Sequence, residues 1–235
     1  MKILHLYHDL MNLYGDYANL SALCRMLELN GIEFALDKKS LGDEVELSEY
    51  DLIYIGSGSE ENMKLALDDL KENRDALAQY VEDGKFLLLT GNSFEMLGEK
   101  ITSFLGEFEG LGLFPITVPE QNKTRTTDDA IVNFPEADMT LVGFINKCSE
   151  IEGITSPLFN VEMGLANGKG QKTEGIRYKN LFGTHLTGPL FVKNPIFLKY
   201  FAEKLTGTEL VDYVFSFERK GYEKTLKKLR ERNGK

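Results

Sequence analysis

Cysteine occurs only twice in these 235 residues and histidine three times, and no apolar run approaches the roughly 20 residues of a membrane-spanning helix. Two thiols, Cys24 and Cys148, make no disulfide framework and have no metal-ligand spacing. No metal site is therefore expected, and a reducing compartment is the simple inference. The N-terminal MKILHLYHDL carries a short apolar run broken by histidines, too short for a secretory signal core. A cytoplasmic location without a membrane span is the expectation. Basic excess is also missing: 27 Lys and Arg against 37 Asp and Glu leave a net charge of −10, which argues against a nucleic-acid partner.

What is present is ordinary globular material. At 42% hydrophobic, the chain can bury a substantial core without staples. KILHLY (2–7), IEFALD (32–37), DLIYIGSGS (51–59) and FLLLT (86–90) read as strands. Residues 15–31 and 60–83 have apolar residues at helical spacing. Asp16 is placed to cap the first helix, and Cys24 to lie buried within it. Strands alternating with helices predict a parallel sheet covered on both faces, which suits the continuous LIYI and FLLL runs. From LGLFPITVP to NLFGTHL the chain changes to short β-like runs with turns, including the hairpin signal NGKG (167–170). This predicts an antiparallel extension. Residues 1–205 are expected to form one domain. Residues 206–235 form a basic tail whose segment 218–235 holds eight Lys or Arg against three Glu. Tyr222, Leu226 and Leu229 make that segment an amphipathic helix, either a solvated terminus or a dock for an acidic partner.

Ligands of open α/β sheets bind at the carboxyl ends of the strands. Three loops fall there: 7–14, 56–59 and 90–94. Gly56, Ser57 and Gly58 allow close backbone approach and can serve an anion or an oxyanion. They match neither the phosphate-loop nor the dinucleotide fingerprint, so no cofactor is expected. The turn Thr90-Gly91-Asn92-Ser93 nearly matches a G-x-S-x-G elbow, with Glu95 where the last glycine should stand. In that reading Ser93 is the nucleophile and His185 the base. Alternatively, Asn92 and Glu95 form a capping box and nothing there is catalytic.

LMNLYGDYANL (10–20), YIGSGSEEN (54–62), EGLG (109–112), VGFIN (142–146) and EGIRYKNLFGTHLTGPLFVKNP (174–195) together resemble one group. It is the glutaminase subunit of lipid II isoglutaminyl synthase, among the class I glutamine amidotransferases of the cobyric-acid-synthase type. The resemblance implies a flavodoxin-like doubly wound α/β fold, mainly parallel with an antiparallel extension. It implies glutamine hydrolysis at a cysteine elbow, with ammonia passed to a Mur-ligase-like synthetase that amidates D-glutamate of the peptidoglycan stem. Glutamine or a small acidic ligand would be bound. Aligned on Phe94 to Gly98, the elbow C-G-G-Y-Q-x-L-G puts the cysteine position on Gly91. The base of G-T-Y-L-H-G-P falls on Thr187. Both members of the dyad are thus replaced. Gly56, Ser57 and Gly58 correspond to the oxyanion loop, and Arg125 resembles the substrate-binding arginine, suited to the glutamine α-carboxylate. His185, two residues before Thr187, would share its face if both lie on one strand. Three readings follow: a glutaminase-like subunit without glutaminase activity, a hydrolase or transferase using Ser93 and His185, or a small-molecule or anion-binding α/β protein.

Overall fold

A computed structural model describes residues 1–119, 121–211 and 216–234, with residues 121–123 described by their backbone alone. The main sheet contains β1 (Lys2–Leu6), β2 (Ala35–Lys39), β3 (Leu52–Ile55), β4 (Phe86–Thr90), β12 (Ile176–Tyr178) and β13 (Leu181–Thr184). Its order is β12-β13-β4-β3-β1-β2, parallel throughout except for β12. Strand order reverses beside β1, so the carboxyl ends of β1 and β3 form the switch point at which such sheets bind ligands.

The LIYI and FLLL runs divide between two layers, as strand alternation requires. Ile53, Ile55, Leu87 and Leu89 pack beneath α2 (Glu60–Leu70) and α3 (Arg74–Glu82). Leu52, Tyr54 and Leu88 pack with Leu20, Leu23 and Leu27 of α1 (Ala18–Leu29) and Phe197 and Phe201 of α5 (Pro195–Thr206). Each such apolar side chain fully buried stabilises the fold by about 1.5–3 kcal/mol before entropy is set against it.

The antiparallel extension forms a second sheet in the order β11-β10-β8-β9-β14. Its strands are β8 (Gln121–Phe134), β9 (Met139–Ser149), β10 (Phe159–Met163), β11 (Thr173–Glu174) and β14 (Leu186–Thr187). Ala130, Val132 and Phe134 face the α5 layer. A three-stranded sheet, β6-β5-β7, is made by β5 (Lys100–Ser103), β6 (Gly106–Glu109) and β7 (Thr117–Val118). Asn194, between the short α4 (Leu190–Lys193) and α5, ties the layers by accepting from Val142 N and donating to Val142 O, both at 2.8 Å.

Several local expectations change. NLFGTHL joins the extension only at its last residue, Leu186: β13 pairs in parallel with β4, because its apolar residues Leu181 and Phe182 are wanted on both faces of the main sheet. NGKG lies within the long loop between the paired β10 and β11 rather than making a two-residue hairpin turn. The 60–83 helix breaks into α2 and α3 at a 3-10 turn over Lys71–Asn73. The basic helix α6 (Ser216–Arg232) sets Tyr222, Leu226 and Leu229 on Ile131, Val142 and Met163, on the far side of the second sheet. The acidic groups it meets belong to this same chain. Arg230 pairs with Glu162 at 3.1 Å, and Arg232 with Asp129 at 2.8 Å.

Candidate functional site

The chain after β3 and after β4 meets at one buried hub, the carboxylate of Asp16, two residues beyond the 7–14 loop. Its Oδ2 accepts from Ser57 N and from Thr90 Oγ1, each at 2.8 Å. Its backbone oxygen accepts from Tyr54 OH at 2.9 Å, and its Oδ1 from Asn19 Nδ2 at 3.3 Å. Burial raises the Asp16 carboxyl to about 6, against the hydrogen bonds from Thr90, Ser57 and Tyr54, which favour the ionised form. Asp16 does not cap the first helix with its side chain as expected. The carboxylate instead turns inward and clamps the loops that follow β3 and β4.

After β4 the chain turns at Gly91 with φ of +67° and runs into a buried 3-10 helix over Gly91–Leu97. That left-handed φ suits glycine and strains any other residue. The geometry is that of a nucleophile elbow, strand to strained turn to helix, without an attacking group. A Cβ built on Gly91 would collide with Oγ and Cβ of Ser57 and come within 3.0 Å of Ser57 Cα. The volume in which a nucleophilic side chain would begin is filled.

The oxyanion-type donors are occupied as well. Ser57 N is held by Asp16, and Gly58 N donates to Asn92 Oδ1 at 3.0 Å. Asn92 Nδ2 returns a 3.0 Å bond to Gly58 O. The expected capping box is therefore not formed: the Asn92 side chain reaches across to the glycine loop, and no side chain caps the 3-10 helix.

Arg125 reaches the same region from β8, where its guanidinium is closed on three sides. Nη1 donates to Glu60 Oε1 at 2.5 Å, Nε to Asn146 Oδ1 at 2.6 Å and Nη2 to Asn146 O at 2.7 Å. Asn146 Nδ2 donates to Tyr14 OH at 2.9 Å, and Tyr14 has a φ of +61°. Glu60 Oε1 also accepts from Cys148 Sγ at 3.1 Å. Burial, with the Glu60 hydrogen bond, pushes the Cys148 thiol up to about 12, so it is no thiolate at neutral pH.

His185 and Thr187 do not share a face. The chain leaves the main sheet after Thr184 and enters the second sheet at Leu186, so His185 sits in the crossing and the two-residue alternation is broken. His185 Nε2 lies 3.0 Å from Glu95 Oε1, and Nδ1 lies 3.6 Å from Glu174 Oε1. Burial opposes its charge, but Glu174 and Glu95 outweigh that and raise its pKa above the ordinary value. Glu95 Oε1 also accepts from Ser149 Oγ at 2.5 Å. Thr187 Oγ1 donates to Phe144 O at 3.0 Å. Ser93 Oγ, fully buried, donates to Ile55 O at 3.0 Å and to Thr90 O at 2.9 Å.

Four functional-looking residues escaped sequence reasoning: Asn92 as a plug, Glu60 as the partner of Arg125, and Glu95 and Glu174 around His185. Asn92 and Glu95 left a trace, but as a capping box rather than in these roles, and Glu60 and Glu174 left none. Among the described residues, no group of three or more His, Cys, Asp or Glu is arranged to hold a metal ion, and no helix is long and apolar enough to cross a membrane.

Residues 2–195 match the CobB/CobQ-like glutamine amidotransferase domain. Two lipid II isoglutaminyl synthase (glutamine-hydrolyzing) GatD subunits are similar to the chain. That of Streptococcus pneumoniae is 29% identical over 197 residues, covering 83% of this chain and 76% of that protein. That of Staphylococcus aureus is 33% identical over 207 residues, covering 87% of this chain and 84% of that protein. A crystal structure of a glutamine amidotransferase aligns with 87% of this chain and 99% of its own at 19% identity, with a TM-score of 0.48.

Proposed function

Because this chain belongs to the CobB/CobQ-like glutamine amidotransferase family, we propose that it is a GatD-like subunit that does not hydrolyse glutamine. It acts as a non-catalytic or regulatory partner of a Mur-ligase-like synthetase in peptidoglycan amidation. The observation that carries this reading is the elbow at Gly91. Glutamine hydrolysis in this family's manner needs a thiolate, backbone donors for an oxyanion and a base. At the elbow no side chain exists, and Ser57 fills the volume where one would start. Ser57 N and Gly58 N are both spent on side chains of the chain itself. The base position is Thr187, a hydroxyl bonded to a carbonyl.

The retained family architecture supports a subunit role. Buried hydrogen bonds such as Asp16 to Ser57 keep the loops in place although the reactive groups are gone. Glu60 occupies the Arg125 fork with a carboxylate, the group that the arginine would otherwise take from glutamine. The site is closed by its own residues rather than collapsed.

The alternatives draw less support. Ser93 directs its hydroxyl at two carbonyls, while His185 is engaged by carboxylates. An anion at the glycine loop would find two of its N–H groups taken.

The deciding experiment incubates the purified chain with L-glutamine, alone and with a co-purified Mur-ligase-like synthetase, and measures ammonia and glutamate. A diazo-ketone glutamine analogue and a fluorophosphonate are applied in parallel. The expected result is background ammonia and no covalent adduct. Family-like ammonia release, or an adduct at Ser93 or either cysteine, overturns the reading.

A further inference from the structure

A cavity of about 370 Å³ opens beside the carboxyl ends of β1 and β2, beneath α1. Its lining includes His5, His8, Ser21, Glu28, Leu36 and Lys38. None of these residues takes part in the elbow, the glycine loop or the Arg125 cluster.

The cavity contains one unpartnered group. His5 is 3% exposed, and its Nε2 is buried without a hydrogen-bond partner. Strand alternation puts His5 on the same side of the sheet as Ile3, which packs with the α1 residues Leu20 and Leu23. The imidazole therefore faces the space between sheet and helix. A buried polar atom left unpaired costs about 1–3 kcal/mol, and His5, which lines this cavity, carries one at Nε2. The ring packs against Tyr54, with centroids 5.2 Å apart, which holds its orientation. Burial, with His8 and Lys38 nearby, lowers its pKa to about 4, so it meets a ligand as neutral imidazole at pH 7.

The wall carries both signs of charge, Lys38 on the strand side and Glu28 on the helix side, with the His8 imidazole beside them. Ser21 adds a hydroxyl and Leu36 an apolar surface. Cations alone would suit a simple anion, and acids alone a cation. The mixture suits a molecule with a carboxylate and an ammonium. About 370 Å³ is at the small end of ligand pockets, which span roughly 300–1,000 Å³. We propose that this cavity is a binding site for an amino-acid-sized zwitterion whose polar side-chain tip bonds to His5 Nε2. The site is separate from the elbow and holds whether or not the chain hydrolyses glutamine.

The test uses the full chain, titrated calorimetrically with L-glutamine, L-glutamate, D-glutamate and L-lysine. Acetate and inorganic phosphate serve as anions lacking an ammonium. At least one amino acid is expected to bind saturably, with acetate and phosphate at least tenfold weaker. His5→Phe keeps the ring volume and removes the nitrogen, and is expected to weaken binding roughly tenfold. Ser21→Trp projects an indole into the cavity and is expected to abolish binding. Ser21 is exposed on α1, so this variant folds even if His5→Phe does not. The proposal is overturned if no amino acid binds up to about 10 mM, if phosphate or acetate binds as well as the amino acids, or if Ser21→Trp leaves affinity unchanged.

Discussion

The carboxamide of Asn92 and the backbone of Gly58 exchange two hydrogen bonds, both 3.0 Å long, across the mouth of the elbow. The pairing has the form of a single antiparallel bridge, with a side chain replacing one strand. Asn92 is 5% exposed, so water does not readily replace it. Asn92→Ala leaves a buried N–H and a buried C=O unpaired and is expected to cost about 2–4 kcal/mol in chemical denaturation. It should not produce glutaminase activity, because Gly91 still offers no nucleophile. A stability loss under about 0.5 kcal/mol would mean that the Asn92–Gly58 pair does not hold the loop.

Placing a thiol at position 91 and an imidazole at position 187 is expected not to suffice for glutaminase activity. Gly91→Cys places a side chain at φ of +67° and drives its Cβ into Ser57. Left-handed strain of about 1–2 kcal/mol and overpacking of about 1–3 kcal/mol should lower stability. Gly91→Cys with Thr187→His should release no more ammonia than the parent chain. Adding Ser57→Gly removes the clashing side chain and should recover part of the stability, whereas adding Asn92→Gly opens the loop at the cost expected for Asn92→Ala. Substantial ammonia from the double variant would show that Ser57 and Asn92 are not the obstacles they look to be.

Glu60 and Arg125 form an ion pair with side chains 10% and 27% exposed. Glu60→Gln removes the charge that balances the guanidinium and also weakens the acceptor for Cys148. A loss of about 2–3 kcal/mol is expected, below the 3–5 kcal/mol of a fully buried pair because the arginine is partly wet. Reaction of Cys148 with a maleimide reagent should accelerate as Glu60 lets go of the thiol. No change in either measurement would argue against the cluster.

Two buried groups titrate in opposition across mildly acidic pH. Asp16 has its folded pKa raised to about 6, so it favours the folded state fully below its unfolded value, and that contribution is lost as pH rises through about 6. His5 has its folded pKa lowered to about 4, so its contribution is present above its unfolded value and is lost as pH falls towards about 4. Each is worth on the order of 3 kcal/mol, and they partly cancel. Asp16→Asn should make stability fall more steeply from pH 6.5 to 4, and His5→Phe should make it flatter. Parallel stability–pH curves for both variants and the parent would refute this.

The helix α6 is held by Tyr222, Leu226 and Leu229 and by ion pairs to Glu162 and Asp129. Leu229→Ala is expected to cost about 2 kcal/mol, and amide exchange should rise in α6 before it rises in β4. Equal exchange in both elements would show that α6 unfolds only with the whole molecule.

The linear chain by itself determined the layered architecture and which side chains stand at positions 91 and 187. LIYI and FLLL are apolar at every position, and such runs are stable only between two covering layers. Gly91 and Thr187 lack thiol and imidazole as a matter of covalent composition, which no folding alters. Tertiary structure alone decided what packs around Gly91 and Arg125. Asn92 finds Gly58 at a separation of 34 residues and Arg125 finds Glu60 at 65, because a buried donor takes whichever acceptor lies within hydrogen-bond reach and sequence spacing does not encode that distance. The same reason separates His185 from Thr187. Two residues apart on a line, they part company where the backbone crosses from one sheet to the other, and one meets carboxylates while the other meets a carbonyl.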